Sequence, residues 1–137
     1  MTIFVKDKTH MAEKGSYFRE SVKINGDFIV PPRTYFWKDL VVTGSLYLCP
    51  ESHVAGNVTC NGAVICRDCV VEGELNSGKE QLTVCDKAKV RVIKSDGNVL
   101  LREGMISSEV HGVNVLVMGK IQCAKLMGKN TRVISNN

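Results

Sequence analysis

The sequence has no long apolar run. Its uninterrupted apolar stretches are short, as at residues 115–118, against the ~18 that a membrane-spanning helix requires, so an integral helical membrane protein is excluded. Apolar Ile3, Phe4 and Val5 run straight into Lys6, Asp7 and Lys8. That leaves no room for the hydrophobic segment of a secretory signal, and the cytoplasm is the expected compartment. Charge of one sign is also lacking: 18 basic and 14 acidic side chains leave a net +4, well short of the footprint of a nucleic-acid binder. No nucleic-acid partner is expected. There is no Gly-x-Ser-x-Gly, no phosphate loop and no carboxylate pair in a catalytic setting, so neither catalytic residues nor a cofactor are expected. Cys66-Arg67-Asp68-Cys69 has ligand spacing, but a zinc site needs a second such pair and none exists. The six cysteines are therefore read as reduced, small hydrophobes and no metal is expected.

What remains is an ordinary globular composition. In 137 residues, 44% are apolar and 23% charged, enough for one domain with a real core and unlike a disordered chain. The order within it is periodic. Gly26, Gly44 and Gly62 stand eighteen residues apart. Two residues after each begins a column of apolar positions, Phe28, Leu46, Val64, Leu82, Val99 and Val115. A second column follows two residues later, at Val30, Leu48, Cys66, Val84, Leu101 and Val117. An apolar-x-apolar pair is the mark of a short strand with one buried face.

A bend residue follows each pair (Pro32, Pro50, Asp68, Asp86, Glu103, Gly119), and then another apolar position (Phe36, Val54, Val71, Val90, Ile106, Ile121). Such repeats cannot bury their apolar faces alone, and stacking them makes a β-solenoid. The expectation is an all-β solenoid of about six coils of 16–18 residues over residues 21–130, with a flexible N-terminal segment over 1–20 and a short C-terminal one over 131–137. A six-residue step, Leu40, Leu46, Ser52, Val58, Val64, Val70, fits the left-handed helix of hexapeptide acyltransferases, but it lands next on Asn76, Ala88, Lys94 and Gly112. That trimeric enzyme is the alternative reading, with His53 or His111 as the candidate histidine at an intersubunit cleft.

Coils of 16–18 residues, paired inward aliphatics and repeated Gly-x-Val/Leu starts (Gly44-Ser45-Leu46, Gly56-Asn57-Val58, Gly62-Ala63-Val64, Gly73-Glu74-Leu75, Gly97-Asn98-Val99) together resemble the bactofilins, a family of bacterial polymer-forming cytoskeletal proteins. The resemblance spans residues 22–132. It implies a right-handed β-helix that stacks end to end into filaments without nucleotide, often at the inner face of the cytoplasmic membrane, as a scaffold for cell-wall or shape-determining proteins. Typical members carry an aromatic in the last coil, whereas here none follows Tyr47.

Four surfaces are expected to matter. Uncapped solenoid ends expose strand edges and a slice of core, which nominates Phe28, Tyr35, Phe36 and Trp37 at one end and Ile121, Leu126 and Met127 at the other for end-to-end contact. Between the two inward columns, Ile29, Tyr47, Ile65, Leu100 and Leu116 form an outward apolar face suited to lateral pairing. Ile3, Phe4, Val5, Lys6 and Lys8 have the make-up of a weak membrane-binding tail. Finally, residues 1–109 are electrically neutral, so the whole excess sits in Lys120, Lys125, Lys129 and Arg132, a basic end facing an acidic partner or lipid.

Overall fold

The computed structural model describes residues 3–134 and is a β-solenoid of about seven turns, with no helix among those residues. A hairpin opens it: β1 (Ile3–Lys6) pairs antiparallel with β2 (Thr9–Ala12), Asp7 and Lys8 turning with positive φ. From β2 onward every pairing is parallel, and each coil has three faces. The first coil is β2, β3 (Tyr17–Phe18) and β4 (Val22–Ile24); the second is β5 (Asp27–Val30), β6 (Tyr35–Phe36) and β7 (Leu40–Val42); the third is β8 (Leu46–Leu48), β9 (His53–Val54) and β10 (Val58–Cys60). Further on, the second and third faces merge into single bent strands. The fourth coil is β11 (Ala63–Ile65) and β12 (Val70–Ser77), the fifth β13 (Leu82–Val84) and β14 (Lys89–Ser95). Then come β15 (Asn98–Leu101), β16 (Ile106–Met118) and β17 (Gln122–Ile134), the last running the full length of β16.

On the first face the register stacks His10, Phe28, Leu46, Ala63, Leu82, Val99, Val115 and Thr131, in steps of 18, 18, 17, 19, 17, 16 and 16 residues. The solenoid thus begins within the segment expected to be a flexible tail, and its strands run to Ile134 rather than stopping at 130. The first coil escaped notice because His10 occupies the inward place and no glycine marks the corner before it.

The constant eighteen-residue step also misplaces the fourth coil. Ala63 and Ile65 face inward, and Val64 lies outward opposite Tyr47 and Thr83, the reverse of the expected Val64 and Cys66 inside with Ile65 outside. The cause is one missing residue. Three residues, Thr43, Gly44 and Ser45, separate β7 from β8, while only Asn61 and Gly62 separate β10 from β11. Gly62 turns this shorter corner at φ +85°, and a one-residue change swaps the faces of the strand that follows. A similar slip puts Ser107 inside the sixth coil, its hydroxyl donating to Arg91 O and Glu109 O, where Ile106 was expected.

The corner after the first face is built identically in most coils. Gly15, Arg33, Glu51, Asp68, Lys87 and Gly104 all take positive φ, one residue after most of the expected bend positions. Arg33, Glu51, Asp68 and Lys87 each donate their N–H to a carbonyl of the next coil, at 3.1–3.2 Å. Left-handed geometry costs a non-glycine residue about 1–2 kcal/mol, and the inter-coil hydrogen bond offsets it. The next residue dives inward and in most coils is small: Ser16, Thr34, Ser52, Cys69 and Ala88 are buried in a stack, which ends on the larger Met105.

The interior narrows along the axis. On the third face one inward column reads Ile24, Val42, Cys60, Ser77, Ser95, Gly112 and Gly128, while coils shorten from 18 to 16 residues. A Cβ on Gly112 would sit 2.8 Å from Val99 Cγ2, so the last coils have room there for hydrogen alone. At the wide end the space is filled by rings, Phe36 stacking on Phe18 at 5.0 Å and meeting Phe28 edge-on at 6.4 Å.

Candidate assembly surfaces

The two ends differ in how far they are closed. At the N-terminal end β1 covers the first face, and Ile3 packs against the core. The second and third faces there end in β3 and β4, whose strand partners among the described residues lie on one side only. Phe28 and Phe36 are fully buried in the second coil, so neither forms part of an end surface. Their expected place belongs to Phe18, half-buried on Phe36. Sequence reasoning missed Phe18 because it assigned the first coil to a tail. Tyr35 and Trp37 lie on the outer surface of the second face, 5.3 Å apart, with Tyr35 stacked 4.5 Å from the His53 ring and Trp37 58% exposed. They line the flank of the rod and not its end.

At the C-terminal end nothing among the described residues pairs with the outer edge of β17, a strand of thirteen residues. Cys123 and Leu126 occupy its inward places, opposite Ser107 and Val110; Ile121 lies just before the strand, half-buried on the core, and Met127 points out at 45% exposure. Val133 continues the second inward column below Val117 yet is 65% exposed, because no coil lies beneath it. Lys120, Lys125, Lys129 and Arg132 are all exposed on this last coil, so the basic end coincides with the open end.

Along the first face, the outward column between the inward ones reads Phe4, Met11, Ile29, Tyr47, Val64, Thr83, Leu100 and Leu116 before reaching Arg132. This outward apolar column holds Val64 in place of the expected Ile65, and it extends over the hairpin. Most of it is half-buried; Phe4 and Tyr47 stand out at 40% and 45%. A polar rim accompanies it in the last coils, where Asn114 donates to Asn98 at 2.8 Å and Asn130 to Asn114 at 2.9 Å. The expected membrane tail is not a free tail. Ile3, Phe4, Val5 and Lys6 form β1, Lys8 sits in the turn, and Phe4, Val5, Lys6 and Lys8 present their side chains to solvent; Met1 and Thr2 lie outside the described residues. Among the described residues no helix is long and apolar enough to cross a membrane.

Cys60 and Cys69 are buried, and desolvation pushes their thiols up to about 11 and about 12. Cys69 donates to Leu48 O and Cys49 O, filling the place that Ser52 holds one coil earlier. Cys66 sits at the corner beyond Ile65 and not in the inward column. His53 meets Glu72 at 2.5 Å and His111 meets Glu109 at 2.6 Å, and the His111 hydrogen bond holds Glu109 below the usual carboxylate range. At the first corner Arg33, Glu51, Arg67 and Asp68 form a ladder of exposed ion pairs at 3.1–3.4 Å, each worth at most about 1 kcal/mol. Comparison with protein-family models, with curated proteins and with solved structures finds no match to the chain.

Proposed function

We propose that this chain is a polymer-forming scaffold of the bactofilin type, a right-handed β-helix that assembles end to end into filaments without nucleotide. The observation that carries the reading is the open edge of β17. A long unpaired edge beside exposed core residues templates further strands, and the four cations there oppose stacking by mutual repulsion. Phe4, Val5, Lys6 and Lys8, presented together on the hairpin, support peripheral contact with an anionic membrane surface, and a polymer would multiply that weak contact many times over. On this reading the scaffold is cytoplasmic and serves cell-wall or shape-determining machinery.

Negative-stain microscopy of the purified chain without nucleotide tests the proposal. Filaments are expected, and the double variant Leu126→Glu, Val133→Asp is expected to yield single particles. Compact trimers from the unmodified chain would overturn the reading in favour of the acyltransferase.

A further inference from the structure

Three of the six cysteines share one position on three consecutive coils. Cys49, Cys66 and Cys85 each immediately follow the second inward residue of the first face, and their N–H groups donate to Val30 O, Leu48 O and Ile65 O, so the column keeps strict register. Pro31 precedes it and Arg102 follows it at the same position, the Arg102 N–H donating to Val84 O. Cys49 and Cys85 are partly exposed and Cys66 is 8% exposed between them. Unlike Cys69, none of the three fills a place in the buried stack.

The spacing of the column limits what it can bind. Neighbouring strands lie ~4.8 Å apart, so sulfurs that share a rotamer on adjacent coils recur at about that distance, and the outer two are then about twice as far from each other. Among the described residues no three His, Cys, Asp or Glu side chains converge on one ion, which excludes the tetrahedral shell that zinc requires. Two metal–thiolate bonds of ~2.3 Å in a line span ~4.6 Å, which matches one coil step. Thiolate pairs select soft cations such as copper(I).

We infer that the Cys49–Cys66–Cys85 column is a binding site for a soft, two-coordinate monovalent cation of the copper(I) or silver(I) type, held as a linear sulfur–metal–sulfur bridge between neighbouring coils. On binding, two thiols release their protons to solvent and the bridge carries one net negative charge. Arg67 adjoins Cys66 and Arg102 adjoins Cys85 in sequence; the first is paired with Glu51 and Asp68 and the second with Asp86 at 3.0 Å, so they offset only part of that charge. Only the thiolate form ligates a metal. The cation therefore competes with protons, and affinity falls in acid.

The middle cysteine distinguishes this arrangement from scattered thiols. The test offers copper(I), as its bathocuproine disulfonate complex, to the reduced full-length chain without oxygen. The unmodified chain is expected to withdraw copper. Cys49→Ser and Cys85→Ser should still do so, since one neighbouring pair survives in each, whereas Cys66→Ser should withdraw at least tenfold less. The double variant Cys49→Ser, Cys85→Ser keeps Cys66 and should fail equally, with unchanged far-ultraviolet dichroism in every case. Should Cys66→Ser misfold, Cys66→Ala and the double variant decide the matter. Uptake by the double variant or by a folded Cys66 variant equal to that of the unmodified chain would overturn the site, as would complete loss in Cys49→Ser alone.

Discussion

Replacing Val64 and Ile65 one at a time by alanine separates two registers that differ by a single residue. Ile65 is fully buried, stacked between Leu48 and Val84 in a column closed above and below. Cutting it to alanine removes three carbons from a site with no room to collapse, which costs about 2–5 kcal/mol. Val64 faces out between Tyr47 and Thr83, so its truncation loses part of a half-exposed side chain, about 0.5–1 kcal/mol. At about 3–5 °C per kcal/mol for a chain of this size, Ile65→Ala is expected to lower Tm by roughly 10 °C or more and Val64→Ala by a few degrees. Melting curves followed by far-ultraviolet dichroism on dilute protein supply the comparison. Equal losses, or a larger loss for Val64→Ala, would mean that the fourth coil keeps the uniform eighteen-residue step with Val64 inside, and the short Asn61–Gly62 corner would be wrong.

Four other outcomes are expected. Lysine at both Val64 and Leu100 places charge on the outward apolar column without touching the core; micrographs should show single filaments where the unmodified chain forms bundles, and unchanged bundling would remove lateral pairing from that face. Added salt should lengthen filaments if open ends meet each other, because the cations of both last coils then face one another and screening relieves them; light scattering across a salt series reads this, and shortening would place an acidic partner there instead. Gly97→Ala should fail to fold or aggregate on expression, since a methyl there would lie on the Lys79 carbonyl. Alkaline pH should destabilise the chain: the buried thiols of Cys60 and Cys69 titrate near 11 and 12 when folded and near 9.0 when unfolded, so their contribution is whole below pH 9 and is lost as pH rises toward 11–12. For Cys69 the loss amounts to about 2–3 kcal/mol by pH 11, and Cys69→Ser should show a shallower fall of Tm between pH 8 and 11.

Paired apolar residues at a near-constant step announced the solenoid because a coil in register must present like side chains at like positions. Phe28, Leu48, Leu82, Val99 and Val117 are buried where the spacing put them. The signal failed at the fourth coil, since a single residue lost at Asn61 and Gly62 inverts a strand while leaving its hydrophobicity intact; Ala63-Val64-Ile65-Cys66 reads equally well in either register. It failed again at the first coil, where His10, Ala12 and Ser16 stand in for larger aliphatics. The surfaces depended on the same register. Tyr47, Leu100 and Leu116 were found on the outward column, while Phe28 and Phe36 looked like exposed aromatics only because the coil that covers them had gone unseen. The thiol column was beyond reach for the opposite reason: Cys49, Cys66 and Cys85 are spaced 17 and 19 residues apart, and only the pairing of backbones brings those unequal steps into line.

The narrowing of the interior bears on how the chain finds its fold. A solenoid of identical coils could dock one whole turn out of place and lose only the end turn, since every layer would fit every other. Here Ile24 could not take the place of Gly112, where even a methyl would collide with Val99 and Val115, nor could the Phe18–Phe36 stack be accommodated in a sixteen-residue turn. Each layer is therefore complementary to its own two neighbours and to no others. The graded side-chain volumes give every coil an address, and a misaligned stack would carry voids at one end and clashes at the other.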